Sequence, residues 1–242
     1  MIKLYQYPNP KNVGDNLALP IVKHFLHTEI KLVPAQDQGK LLAVGSIMSK
    51  LRPNDIVWGT GSSKPIEVVS SNNIFLAVRG KMTRTLIKGA SVPEVYGDPA
   101  LLLPLLYKPP RPAKTHKVGF IPHYVDKPGF KVPDKNSKMI DVNSPWKGFV
   151  DQILSCEKIV SSSLHGLIVA EAYGVPVEWA VYSNKIVGGR FKFQDYLTGT
   201  QRDALPPGTF PEIPNLIHIQ HKLISALVGH FGSTVYRPAS KN

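Results

Sequence analysis

His165 lies in the run Ser161-Ser162-Ser163-Leu164-His165-Gly166, between a short apolar strand ending at Val160 and an apolar helix read over Leu167 to Tyr173. Histidine ordinarily titrates near neutrality, so it can give and take protons within one catalytic cycle. Serines ahead of a helix cap its first amides, and those amides favour anions. In open α/β sheets, ligands bind in the crevice beyond the carboxyl ends of the strands, which is where this segment falls. Proton transfer on an anionic substrate is therefore the chemistry it points to. The same residues also make an ordinary N-cap followed by a loop histidine, and the segment alone does not choose between the two.

Other loops fall at comparable places after strands. Asn12-Val13-Gly14-Asp15-Asn16 follows a strand over 2–7, Gly59-Thr60-Gly61-Ser62 one over 55–58, Val78-Arg79-Gly80 one over 74–77, and Pro122-His123-Tyr124-Val125-Asp126 one over 118–121. A single cleft can collect all of them. Asp15 either caps the helix that starts near Leu17 or faces that cleft. His123 either braces its loop or meets substrate. Asp98, before Pro99, reads as a turn former in preference to the alternative, a catalytic carboxylate. Gly59 to Ser62 with Lys64 misses the Gly-x4-Gly-Lys-Ser/Thr spacing of a phosphate loop. Cys-x-x-Cys, His-Glu-x-x-His and Gly-x-Ser-x-Gly are absent from the sequence, and Cys156 ends an amphipathic helix, where burial is its role. Neither a metal nor a resident cofactor is expected.

The elements that must position these loops alternate as in an α/β protein. Strands are expected over 2–7, 41–45, 55–58 and 74–78, and helices over 17–26 and 81–88, the first with Leu17, Ile21, Val22, Phe25 and Leu26 on one face. A proline-rich stretch, 104–116, reads as an interdomain linker. Beyond it come strands over 118–122 and 139–142, a helix over 146–155, the His165 segment, a strand over 175–181 and a last helix over 220–231. The economical reading is two α/β domains meeting at a cleft, 1–108 and 117–242. With 242 residues, 43% hydrophobic and 19% charged, the composition suits a soluble protein, expected in the cytoplasm. It has neither an apolar run of about 20 residues nor a signal-like start. The net charge of +12 implies an acidic partner. Its basic residues are scattered rather than clustered with aromatics, which argues against nucleic acid.

Seven segments in order, Asn12 to Asn16, Gly59 to Ser62, Val78 to Gly80, Gly97 to Pro104, Ile121 to Asp126, Ser161 to Glu171 and Phe191 to Tyr196, resemble the polysaccharide pyruvyl transferase family. The resemblance runs to about Gly199. It implies two Rossmann-like domains with a central cleft, similar to GT-B glycosyltransferases, and transfer of pyruvate from phosphoenolpyruvate (PEP), a co-substrate, onto two sugar hydroxyls as a cyclic ketal with release of phosphate. In that picture His165 protonates the methylene carbon, and Asp15, or less readily Asp126, takes a hydroxyl proton. Arg79 holds phosphate or carboxylate, helped by Ser162, Ser163, the amides from Leu164 to Gly166, His123 and Lys192, which is placed in the loop after the last strand. Some members carry an arginine two residues before the motif histidine; here that residue is Ser163, and Lys192 or Arg190 is the substitute cation. The acceptor is expected to be a cell-surface saccharide or its lipid-linked precursor. Peripheral contact with the inner face of the membrane, and a homo-oligomer, are left open. The competing readings are a metal-independent GT-B glycosyltransferase using a nucleotide sugar and a non-catalytic anion or saccharide binder on the same fold.

Overall fold

The computed structural model describes residues 1–8, 12–110, 112–203, 205–209 and 212–232. Residue 111 of the expected linker, and 204, 210–211 and 233–242 of the expected C-terminal domain, lie outside the described residues. The first half contains β1 (Ile2–Tyr5), α1 (Ala18–Leu26), β2 (Ile30–Leu32), β3 (Leu41–Leu42), β4 (Ile56–Trp58), β5 (Val68–Val69), β6 (Ile74–Ala77), α2 (Lys81–Leu86), β7 (Ile87–Lys88) and α3 (Leu103–Leu106). The second contains β8 (His116–Ile121), β9 (Ser137–Met139), α4 (Trp146–Leu154), β10 (Cys156–Ser161), α5 (Leu164–Ala172), β11 (Val177–Trp179), α6 (Gly189–Gly199) and α7 (Ile217–Phe231). Short 3-10 turns cover Val13–Asn16, Met48–Lys50 and Pro99–Leu102.

The chain is α/β with parallel sheets. One sheet has the order β2-β1-β3-β4-β6 and the other β11-β10-β8-β9; every recorded pairing is parallel, as is the small pair β5-β7. The first sheet buries both faces, as its period-2 pattern requires. Leu4, Leu41 and Trp58 point into one apolar cluster and their neighbours Tyr5, Leu42 and Val57 into a second; a register shift between Val57 and Trp58 sends Ala77 to the first cluster and Phe75 to the second. The first cluster is shared with the other sheet: Leu4 and Trp58 belong to the same packed core as Ile121, Phe149, Ile159, Ile168 and Val177.

Three features depart from the linear reading. Pro104 belongs to α3 rather than to a linker, and Leu101 to Leu103 are buried in the shared core. The last helix follows the second sheet in the chain but packs on the first: Trp58 Nε1 donates to the Leu223 carbonyl at 2.8 Å. Gly97, at φ 132°, accommodates that helix, since a Cβ there would lie 2.7 Å from Ile219. Lys192, expected in a loop, sits in α6, which starts after Gly188 in the left-handed region and buries Phe193, Tyr196 and Leu197. Among the described residues no helix is long and apolar enough to cross a membrane.

Candidate active site

The helix carrying His165 starts earlier than its apolar pattern suggests, at Leu164, because Ser161 shapes the turn before it. Ser161 Oγ accepts from Ser163 N–H at 3.1 Å and donates to the Ser163 carbonyl at 2.8 Å. Gly166 lets this turn form, as a Cβ there would fall 2.4 Å from Ser161 Oγ. Ser162 faces the other way: its hydroxyl donates to Asp126 at 2.9 Å and accepts from His123 N–H at 2.9 Å, tying the loop after β8 to the strand–helix junction. Ser163 makes no capping bond with its side chain and lines a cavity. Further along α5, buried Glu171 receives a bidentate Arg202 at 2.7 and 2.8 Å and the Tyr196 hydroxyl at 2.6 Å, anchoring the helix.

That cavity, about 300 Å³, lies between the two sheets' loops. Ser163, Leu164, His165, His123, Asp15 and Lys192 all line it, with Tyr7, Asn12, Ser46, Lys50, Tyr124 and Lys185. Three lysines face one carboxylate, Asp15, among the described lining residues. The amino terminus of α5 adds its N–H groups, and among the described residues no acceptor meets those of Leu164, His165 or Gly166. An anion in this cavity gains both from the cations and from the helix end. A larger hollow of about 780 Å³ beside residues 200–219 has none of the predicted site residues in its wall.

Each titratable group has a distinct situation. Burial, reinforced by the Arg79 guanidinium, lowers Lys192 to about 8 against the pull of Asp15 and Asp126. Its ammonium has no hydrogen-bond partner among the described residues and stands ready for an anion. Burial, then Lys192, hold His123 down at about 4, with Asp126 opposing and His165 adding to the fall, so this ring is neutral at pH 7. Its Nδ1 accepts from Val125 N–H at 3.4 Å, leaving Nε2–H as the donor. Asp15 accepts from Asn12 Nδ2 at 2.8 Å; the cap of its turn is Asn12, not Asp15.

Arg79 does not reach the cavity. It is fully buried, with Nε on Asp195 at 2.9 Å, one terminal nitrogen on Ser46 Oγ at 2.6 Å and the other on the Ser62 carbonyl at 2.6 Å. Asp195 also accepts from Thr83 N–H and Oγ at 2.7 Å each. Gly80 and Gly199 let the two segments touch, since a Cβ on either would fall under 2 Å from backbone oxygen, 1.7 Å and 1.9 Å respectively. Arg79 thus clamps α6 to the first sheet and aims Ser46. Ser162 and Gly166 likewise stand behind the cavity wall.

Residues absent from the linear reading complete the site. Ser46 and Lys50 follow β3, in a post-strand loop where no candidate was expected. Asp98, expected from the sequence to form a turn, has a second contact as well. Its Oδ1 accepts from Ala100 N–H at 2.9 Å, the expected turn role, while its Oδ2 faces His165 Nε2 at 3.6 Å.

The fold is an α/β one with parallel sheets, and its loops gather a histidine, an aspartate, lysines and a helix amino terminus around one cavity. The polysaccharide pyruvyl transferase family model matches residues 56–184, and the chain belongs to that family. An uncharacterized protein of Acanthamoeba polyphaga mimivirus is 37% identical over 174 residues, which cover 66% of this chain and 60% of that relative. The chain therefore spans 60% of the length of the curated relative it matches. No solved structure matches it.

Proposed function

We propose that this chain transfers the enolpyruvyl carbons of PEP onto two hydroxyls of a saccharide, forming a cyclic ketal and releasing phosphate. The observation that carries the reading is the convergence of His165, Lys192 and the α5 amino terminus on one cavity. PEP brings a phosphate and a carboxylate, for which Lys50, Lys185, Lys192 and the α5 amides are the partners. His165 gives its proton to the methylene carbon, and the enol π electrons form the new C–H bond. The cationic C2 is attacked by the first hydroxyl, whose proton passes to Asp15. The second hydroxyl then displaces phosphate from C2 and its proton leaves with the phosphate; the proton on Asp15 restores His165. Neutral His123 donates from Nε2 without adding charge. The +12 charge suits a lipid-diphosphate acceptor at an anionic surface.

The test is calorimetry with PEP, followed by phosphate release in the presence of candidate saccharides. PEP binding that is lost in Lys192→Gln, with phosphate release lost in His165→Ala, supports the reading. Absence of PEP binding, with binding of a nucleotide sugar, would replace it with glycosyl transfer.

A further inference from the structure

Asp98 Oδ2 and His165 Nε2 are the two buried side-chain polar atoms without a hydrogen-bond partner among the described residues, and they face each other. Asp98 is fully buried and His165 is 7% exposed. A buried carboxylate oxygen and a buried ring nitrogen without partners are both costly, and native structures pair such atoms unless the pair serves a purpose. Here the gap of 3.6 Å is too long for a hydrogen bond and too short to admit a water between them. The atoms come from opposite halves of the molecule: Asp98 opens the 3-10 turn ahead of α3, and His165 lies in the first turn of α5. Asp98 cannot turn away, because its other oxygen caps Ala100 N–H.

The rest of the His165 ring is also constrained. Gly14 packs against the Nδ1 edge, where a Cβ would lie 2.0 Å from that nitrogen. Among the described residues the cavity also holds Asp15, His123 and Lys192, with Lys50, Lys185, Tyr7 and Tyr124, and Tyr196 feels the Asp98 charge from α6.

We propose that Asp98 is the positioning carboxylate of His165. In the ligand-bound protein the gap closes to a hydrogen bond from His165 Nε2–H to Asp98 Oδ2, and Nδ1 becomes the nitrogen that exchanges a proton with the substrate. The carboxylate sets the tautomer and stabilises the imidazolium during the cycle without itself taking the proton. This rests on the pyruvyl-transfer reading for its chemistry, whereas the pairing itself can be tested without that reading.

The test combines Asp98→Asn with long-range 15N–1H NMR of the His165 ring and with PEP-dependent phosphate release. Asparagine keeps the carbonyl that caps Ala100 and puts an N–H donor where Oδ2 was, so the neutral ring should move from the Nε2–H to the Nδ1–H tautomer. Turnover should fall by roughly 100-fold or more with PEP affinity within about threefold of the original, because the amide N–H facing Nε2 opposes formation of the imidazolium that donates the proton. A merely structural Asp98 would leave the tautomer unchanged. The proposal is overturned by an Nδ1–H tautomer in the unsubstituted protein with PEP bound, a reading that needs no variant to fold, or by Asp98→Asn turning over at the original rate. Should the unsubstituted protein release no phosphate from PEP, the tautomer measurement still decides the pairing while the pyruvyl-transfer reading fails on its own.

Discussion

The imidazole of His165 rests directly on Gly14, so closely that a Cβ on residue 14 would lie 2.0 Å from Nδ1 and 2.4 Å from Cγ. The contact joins the first turn of α5 to the 3-10 turn after β1, two segments from different sheets. Gly14→Ala should therefore push the ring out of place. Overpacking of this kind costs about 1–3 kcal/mol of stability, and a displacement on the order of 1 Å is enough to cost about 100-fold in rate. The check is a double-mutant cycle in urea denaturation. Gly14→Ala should destabilise the unsubstituted protein and cost much less in a His165→Ala background, where the obstructing ring is gone. Equal costs in both backgrounds would mean that the methyl is accommodated elsewhere.

Arg79 makes a second cross-connection, this time through charge. Its partner Asp195 is buried beside it, and neither side chain has any exposure. Removing one member of a buried ion pair leaves the other charge stranded, at about 3–5 kcal/mol. Arg79→Ala should lower the urea midpoint by an amount corresponding to that range, with any loss of PEP affinity following from the misplaced α6 and Lys192. Retained stability together with lost PEP affinity would put the guanidinium on the ligand after all.

These two contacts show where linear reading stops. Four strands of the first sheet, β1, β3, β4 and β6, were legible from their apolar residues, whereas the edge strand β2, largely exposed, was not; α5 was legible because its whole circumference is apolar. The loops after β1, β8 and β10 were placed in one cleft by a single topological rule, and Asp15, His123, Ser163 and His165 do share a cavity. The rule says nothing about which way a side chain turns. Ser161, Ser162 and Ser163 look equivalent in sequence yet respectively shape a turn, hold a loop and face the cavity. Arg79 looked like an anion ligand because its partner lies 116 residues downstream. The helix around Lys192 was missed because Gly188 and Gly189 read as a loop and its remaining residues are mixed in polarity. Asp98 satisfied a local role so well that its second oxygen had no visible task until the two halves were packed together.

The Lys192 ammonium is the cation of this cavity whose charge changes within an accessible pH range. Burial and Arg79 hold it near 8, so it is largely charged at pH 7 and largely neutral at pH 9. Sulfate is a suitable probe because it does not itself titrate there. If Lys192 contacts the anion, sulfate affinity should fall by about tenfold between pH 7 and pH 9, following the charged fraction of a group with that midpoint. The sign of the linked proton follows: the free protein has lost part of its Lys192 protons at pH 8, the complex has them restored, and calorimetry in buffers of different ionisation enthalpy should register proton uptake approaching half a proton. His123, neutral above about 4, contributes nothing in this window. Lys192→Arg should keep the affinity at pH 9 and abolish the uptake, because a guanidinium stays charged. Affinity that is flat from pH 7 to pH 9 in the unsubstituted protein would show that the anion is held by Lys50, Lys185 and the α5 amides without Lys192.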